Sequence, residues 1–325
     1  MITATPNRYA LLADIGGTNT RVALSEHGRL LPESIRRYAN AGRPALEPIL
    51  AEYMQTEGVG DLAGACVAAA GPVRDGTAHM TNLSWVIETA AVARVTGAET
   101  VAVLNDLQAQ GHALGHLAPE AVATVLPGQP ARPGSAQLVI GIGTGFNAAP
   151  VHEAPGGRIV TASECGHVTL PTVTDEDIRL MRFVEAAHGF AAVEDVLSGR
   201  GLERVFAFVA AEAGQPQSRS AAEVMAEITA RSPLGVETAR IFVRHLGAVV
   251  GDLALIHLPF GGIHLCGGVA RAFTPLLSEF GLAAAIQAKG RFSDFLAAFP
   301  LRVIEDDYAA LVGCATHLHA LAPRI

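Results

Sequence analysis

One pattern occurs twice in this chain, and it restricts the fold more than any other feature. A short apolar run meets a glycine-bearing turn and continues into a returning strand. The first copy runs from Tyr9 through Asp14-Ile15-Gly16-Gly17-Thr18-Asn19 into the segment Thr20 to Ser25. The second runs from Gln137 to Ile142, through Gly143-Thr144-Gly145, into Ala148 to His152. Short apolar runs bounded by turn residues read as buried strands, and the glycines mark a hairpin tip. Without a Cβ, such a tip lets backbone N–H groups come close to an anionic group such as phosphate. Alone, either tip could be no more than a turn. Repetition far along the chain favours two phosphate-gripping hairpins, one per domain.

The remaining segments fill out an α/β pattern. A third strand is expected near Ser34 to Tyr38, then a helix over Ala45 to Thr56 whose Pro48 must lie in the first turn. Cys66 to Ala70 and Val101 to Leu104 read as buried strands, the latter followed by Asn105-Asp106 and a helix to Leu114. The Pro-, Ala- and Gly-rich stretch 117–136 is the best candidate for a crossing between domains. Thr174-Asp175-Glu176-Asp177 reads as the capped start of a helix ending by Gly189. Further helices are expected over 219–231 and 235–257. A strand at Gly262 to Cys266 should meet Gly267-Gly268 at the start of another helix. Leu301 to Ile304 reads as a strand, and Tyr308 to Leu321 as a terminal helix.

Composition narrows the function classes. At 325 residues, half of them apolar, the chain can build two domains with sizeable cores. A formal net charge of −8 with a single lysine, Lys289, argues against a nucleic-acid partner. No basic region followed by an apolar core opens the sequence, so no signal peptide is expected. The most hydrophobic stretch, around 245–270, is interrupted by Asp252, His257, Pro259 and His264, too soon for a membrane span. Cys66, Cys165, Cys266 and Cys314 are widely spaced without a CxxC, which reads as reduced, mostly buried thiols in the cytoplasm.

The chemistry-bearing residues cluster on the glycine elements. Asp14 can hold Mg²⁺ directly or through water, and Thr18 adds a hydroxyl. Neither hairpin is a Walker A loop, which needs GK[ST], or a Rossmann fingerprint, which needs GxGxxG entering a helix. Gly267-Gly268-Val269 could pack flat against a nucleotide base or sugar, or simply make a tight strand–helix junction. Asp106, at the end of a buried strand, could accept a proton from an attacking hydroxyl or cap the following helix.

DIGGTNTRVAL, MTNLSW, VLNDLQAQ, GIGTGFN, SECGHVTLP, VEDVLSGRGL and LCGGVARAF follow one another in the order seen in bacterial glucokinases. The chain resembles that family, within the hexokinase and actin-like ATPase superfamily, from about residue 9 to 320. The resemblance implies a two-domain, ribonuclease H-like α/β fold with mixed sheets flanked by helices and an interdomain cleft. The small domain would comprise 1–115 plus 304–325, and the large domain 116–303. It implies ATP-dependent phosphorylation of glucose at the 6-hydroxyl by in-line transfer, with Asp106 as general base. Asn105, Asp106, Glu164, His167 and Glu194 match the family's sugar ligands, with Asn82 a weaker candidate and Trp85 a core residue. Ala13, Asp14, Ile15, Gly16, Gly17, Thr18 and Asn19 would contact ATP with Gly143, Thr144, Gly145, Gly267 and Gly268, and Asp14 would serve Mg²⁺. A homodimer is typical of the family.

Two departures stand out. Asn147 occupies a position usually held by Gly after the GTG turn, which implies altered loop geometry. Cys165 replaces a common Gly between Glu164 and His167, which puts sugar affinity in question. A neighbouring branch of sugar kinases carries closely spaced cysteines after the Glu–His pair; Val168-Thr169-Leu170-Pro171 contains none, so no structural zinc is expected. The DNA-binding members of that branch place a helix-turn-helix ahead of the kinase core, and this chain reaches its first motif by Asp14. Rival readings are a kinase for another hexose or hexosamine, a non-catalytic sugar sensor, and ADP or polyphosphate as donor.

Overall fold

The computed structural model describes residues 8–321. The chain divides into two compact units. Unit 1 takes the chain through Pro119, then Gly156–Ala162, then Asp306 onward; unit 2 takes Glu120–Pro155 and Ser163–Glu305.

Unit 1 contains β1 (Tyr9–Ile15), β2 (Asn19–Glu26), β3 (Arg29–Leu30), β4 (Arg36–Ala39), α1 (Glu47–Glu57), β5 (Gly64–Ala69), β6 (Val73–Arg74), β7 (Thr77–His79), β8 (Val86–Glu88), α2 (Thr89–Thr96), β9 (Thr100–Asn105) and α3 (Asp106–Ala113). Its main sheet has the order β3-β2-β1-β5-β9, with β4 also on β2. The first two long strands are antiparallel, while β1, β5 and β9 run parallel. Leu11, Ala13 and Ile15 join one core with Ile49, Leu50, Tyr53 and Val92. Leu12 joins another, with Cys66, Ala68, Leu311 and Cys314. Successive side chains of a strand point to opposite faces, so a strand with two covered faces must be apolar throughout.

The C-terminal helix α11 (Ala309–Leu321) returns to this unit and packs on α3. At Gly313 a Cβ would lie 1.7 Å from the Ala109 carbonyl oxygen, so only glycine allows the approach. The short strand β13 (Gly157–Val160) also belongs here. Arg158 donates to the carbonyls of Gly111 and His112, 3.2 Å each, and to that of Leu114, closing the C-terminal end of α3. Gln108 Nε2 adds a bond to the Val160 carbonyl at 2.9 Å. The sequence assigned 116–303 to the large domain without a break; residues 156–162 are an exception to it, carried by this arginine.

Unit 2 contains β10 (Val122–Leu126), β11 (Gln137–Ile142), β12 (Phe146–Ala154), α4 (Asp175–His188), α5 (Gly199–Glu212), α6 (Ala221–Thr229), α7 (Pro233–His257), β14 (Gly262–Cys266), α8 (Gly268–Phe273), α9 (Leu282–Gln287), α10 (Ser293–Leu296) and β15 (Leu301–Ile304). The strand order β10-β15-β14-β11-β12 repeats the theme of unit 1: an antiparallel hairpin whose first strand has two parallel neighbours in succession. The sheets are mixed and carry helices, the α/β class expected from sequence.

Some elements were not expected. The β10 strand lies inside the stretch read as a crossing. Helix α5 opens on Gly199-Arg200-Gly201, a poor helix-forming start. Ser198 offsets this by accepting from Gly201 N at 2.9 Å, and Leu202, Val205, Phe206 and Val209 bury one face. By contrast, α4 starts at the expected Thr174–Asp177 capping box and stops at Gly189 in the left-handed region. Among the described residues no helix is long and apolar enough to cross a membrane.

Candidate active site

In unit 1 the turn between β1 and β2 is closed by Gly16 N–H donating to Asn19 O at 3.0 Å. Asn40, only 3% exposed, holds the turn from outside. Its Nδ2 donates to Gly16 O at 2.8 Å, its backbone N–H to Thr18 O at 2.9 Å, and its Oδ1 accepts from Thr20 Oγ1 at 2.7 Å. Gly17 and Thr18 stay exposed at the tip, while Ala13 and Ile15 are fully buried. At Gly17 a Cβ would come 3.3 Å from Cβ of Asn82, so the MTNLSW segment packs against the hairpin. Trp85 is core, as expected, and its indole N–H reaches Arg43 O at 3.2 Å.

Asp14 lies opposite Arg21 in the β1–β2 register, and their side chains pair at 3.0 Å. Burial pushes the Asp14 carboxyl up from its ordinary range, and the Arg21 guanidinium opposes that shift. Among the described residues no group of three or more His, Cys, Asp or Glu is placed to hold a metal ion. One mostly buried carboxylate beside an exposed glycine turn nevertheless has the donor chemistry for Mg²⁺, which usually keeps its waters and binds through one or two carboxylates plus substrate phosphates.

At the end of β9, Asn105 is the N-cap of α3, and Asp106 is its first residue. Asn105 Oδ1 accepts from Leu107 N at 3.0 Å, its Nδ2 donates to Gly71 O at 3.0 Å, and its N–H reaches Gln108 Oε1 at 3.0 Å. Asn105 is 6% exposed and has a structural duty for each polar group. Asp106 is partly exposed and accepts from Leu107 N at 2.9 Å. The capping duty suggested for Asp106 therefore falls mainly on its neighbour.

Unit 2 brings together its own sequence-selected residues. Gly143 N–H closes the second turn on Gly145 O at 2.9 Å, with Thr144 exposed at the tip. Glu194 Oε2 accepts from Phe146 N at 2.9 Å, beside the turn. A Cβ at Gly145 would lie 2.5 Å from that oxygen. Gly199 N–H, at the start of α5, donates to Gly143 O at 2.8 Å. Glu164 and His167 flank a 3₁₀ turn, both exposed, with His167 N–H bonded to Glu164 O at 3.1 Å. Glu194 N–H donates to Gly166 O at 2.8 Å, which ties the Glu164–His167 turn to Glu194. A Cβ on Gly166 would strike Phe146 O at 2.0 Å, so this glycine is fixed by packing.

The third glycine element divides. Gly267 has φ +98° and a Cβ there would meet Ile142 O at 2.4 Å, so the strand–helix junction alone demands glycine. At Gly143 and Gly268 a Cβ would meet nothing within 4 Å, and neither backbone is left-handed. The fold imposes no glycine at those two positions, which leaves open room beside the backbone.

The departures at 147 and 165 lie against each other. The β11–β12 register is regular through Gly141–Asn147 and Ile142–Phe146, so the strand pairing continues to the turn with Asn147 in place. Its side chain holds the segment before His167: Oδ1 accepts from Cys165 N at 3.2 Å and Nδ2 donates to Glu164 Oε2 at 3.2 Å. Burial pushes the Cys165 thiol up, away from the reactive thiolate. Asn40 and this role of Asn147 were missed. Asn147 was noted only as an oddity, and Asn40 sits in an unremarkable strand-ending stretch.

A sequence profile of the glucokinase family matches residues 11–321. The glucokinase of Caulobacter sp. (strain K31) is 31% identical over 312 residues, covering 94% of this chain and 93% of its own. That of Stenotrophomonas maltophilia (strain K279a) is 33% identical over 316 residues, 94% of each chain. A crystal structure of glucokinase from an Antarctic psychrotroph matches with a TM-score of 0.85 at 29% identity, over 96% of this chain and 99% of that one. Fold and relatives together define an α/β sugar kinase. The chain belongs to the glucokinase family.

Proposed function

We propose that this enzyme transfers the terminal phosphoryl group of ATP to the 6-hydroxyl of D-glucose, with Asp106 as general base. The observation that carries the base assignment is the division of labour at the β9–α3 junction. Asn105 caps the helix, and Asp106 presents a partly exposed carboxylate at the strand–helix junction. A base so placed accepts the hydroxyl proton as the oxygen attacks in line, an effect worth about 10²–10⁴ in rate. Phosphoryl transfer otherwise depends on positioning and on stabilising charge.

Glu164, His167 and Glu194 offer acceptors and a ring nitrogen to the sugar hydroxyls, with Asn105 as a further ligand. A site built from such partners rejects analogues lacking a hydroxyl. The two hairpin tips, with Gly267 and Gly268, serve the nucleotide; the room at Gly143 and Gly268 supports that assignment. Asp14 would hold Mg²⁺, directly or through water, and the ion would neutralise phosphate charge. A homodimer in the cytoplasm belongs to the same reading.

The test is a coupled assay of purified protein with a panel of hexoses and hexosamines, and ATP against ADP and polyphosphate. Glucose with ATP should give the highest kcat/KM; a different winner redefines substrate or donor, and no turnover with any pair removes the kinase reading. Asp106→Ala should lose about 10²–10⁴ in kcat with the fold retained. Near-normal turnover in that variant would show that another group takes the proton.

A further inference from the structure

Asn147 lies among groups that fix which end of its amide is which. On one side are two backbone donors, Ala148 N at 2.9 Å and Cys165 N at 3.2 Å. On the other are acceptors: the Ser163 carbonyl and Glu164 Oε2, the latter at 3.2 Å. Amide N–H groups donate and carbonyl and carboxylate oxygens accept, so Oδ1 must face the first set and Nδ2 the second. Ser163 Oγ lies 2.7 Å from Ala148 O, pinning the same segment to β12. Only a side chain with an acceptor and a two-hydrogen donor on one short stem satisfies all of these groups at once.

Glu164 is exposed, and an exposed glutamate ordinarily samples several rotamers at an entropic cost when it must be ordered. Here one carboxylate oxygen is tethered from a β-strand, a rigid element, while its backbone is held through the next residue's N–H. We propose that Asn147 is a positioning residue for sugar binding: it pre-orients the Glu164 carboxylate, and the Asn147–Cys165 contact maintains the turn that carries it. This rests on the reading of Glu164 as a sugar ligand. It explains why position 147 departs from glycine without disturbing the hairpin. The backbone pairing needs nothing from this side chain, whereas Glu164 does.

The variant Asn147→Asp separates positioning from mere support. It keeps the acceptor for Cys165 N and Ala148 N and replaces the donor by a second carboxylate facing Glu164. Two carboxylates this close repel when both are ionised, so the pair created in the variant holds a proton to higher pH than a lone carboxylate does. While that proton is held, a carboxyl O–H replaces the amide donor, and KM for glucose should lie near the wild-type value. As the proton leaves, KM for glucose should climb about tenfold or more, with KM for ATP within twofold throughout. Asn147→Ala should show a raised glucose KM at every pH, because it has no proton to regain. Thermal melting of both variants supplies the folding control, and calorimetric glucose binding replaces KM for a variant too slow to assay. A glucose KM in Asn147→Asp with the wild-type pH dependence overturns the proposal while leaving the kinase reading intact. Wild-type protein that neither binds nor phosphorylates glucose overturns both.

Discussion

The two glycine hairpins share a topology but are held and charged by different means. The β1–β2 tip is gripped by one buried residue, Asn40, whose side chain bonds to Gly16 and Thr20 and whose backbone N–H bonds to Thr18 O. The β11–β12 tip is gripped by backbone and a carboxylate from elsewhere, Gly199 on Gly143 and Glu194 on Phe146. The first hairpin also carries its own charge, Asp14 paired in register with Arg21, while the second has no charged residue in its turn and borrows Glu194. On the proposed reading, a hairpin with its own carboxylate suits a cation and its phosphates. A hairpin that packs an imported carboxylate would, on the same reading, link nucleotide and sugar chemistry within one unit. The same fold element would then serve two chemistries according to what surrounds it.

The largest effect expected from this contrast is at Asp14. Asp14→Asn keeps the shape and removes the charge, and turnover should fall at least about 100-fold if the carboxylate serves Mg²⁺ and phosphate. Raising Mg²⁺ should recover part of the loss; turnover within threefold of wild type would break the contrast. The variant also has a stability signature. The folded-state pKa of Asp14 is raised by burial, so its contribution favours folding below its ordinary 3.8 and is lost as pH rises through the raised value. Denaturant unfolding of Asp14→Asn should therefore gain on the wild type as pH rises from about 4 toward neutrality.

Next comes the brace. Asn40→Ala deprives the Gly16 carbonyl and the Thr20 hydroxyl of their partner in a buried place, at a cost of about 2–3 kcal/mol. Asn147→Ala removes more side-chain bonds than Asn40→Ala, but in a partly exposed place where water can substitute, so it should cost below about 1 kcal/mol. Urea midpoints measure both. Equal losses would mean that burial does not distinguish the two asparagines.

Those asparagines also mark where sequence reading stops. The strands β1, β2, β11, β12 and β14 were legible because a buried strand has to be apolar and a hairpin tip favours glycine. Both are local requirements. Asp106, Glu164, His167 and Glu194 were reached through motif order, and composition around them would not have found them. What escaped was non-local: Asn40 acts on a turn it reaches only through β4 pairing, and Arg158 closes a helix far back in the chain. Helix α5 escaped because its start is glycine-rich and its stability comes from Leu202, Val205, Phe206 and Val209 meeting a core invisible in one dimension. At 147 the sequence signalled a departure, and the direction of its effect needed the Ser163–Cys165 segment in view.

The smallest effect probes the tips themselves. A Cβ at Gly145 would lie 2.5 Å from Glu194 Oε2, the movable end of a side chain, whereas at Gly17 it would lie 3.3 Å from the Cβ of Asn82. Gly145→Ala should leave stability within about 1 kcal/mol because the carboxylate can swing aside. In moving, it gives up the Phe146 N–H, and a lost charge-assisted bond of about 1.5 kcal/mol corresponds to a roughly tenfold higher glucose KM. Gly17→Ala needs a shift of only a few tenths of an ångström and meets only Asn82, the weaker sugar candidate, so its glucose KM should change less than about twofold. Steady-state kinetics with glucose varied at saturating ATP decides the matter. If both alanines raise the glucose KM equally, the second tip has no tie to the sugar through Glu194 that the first tip lacks.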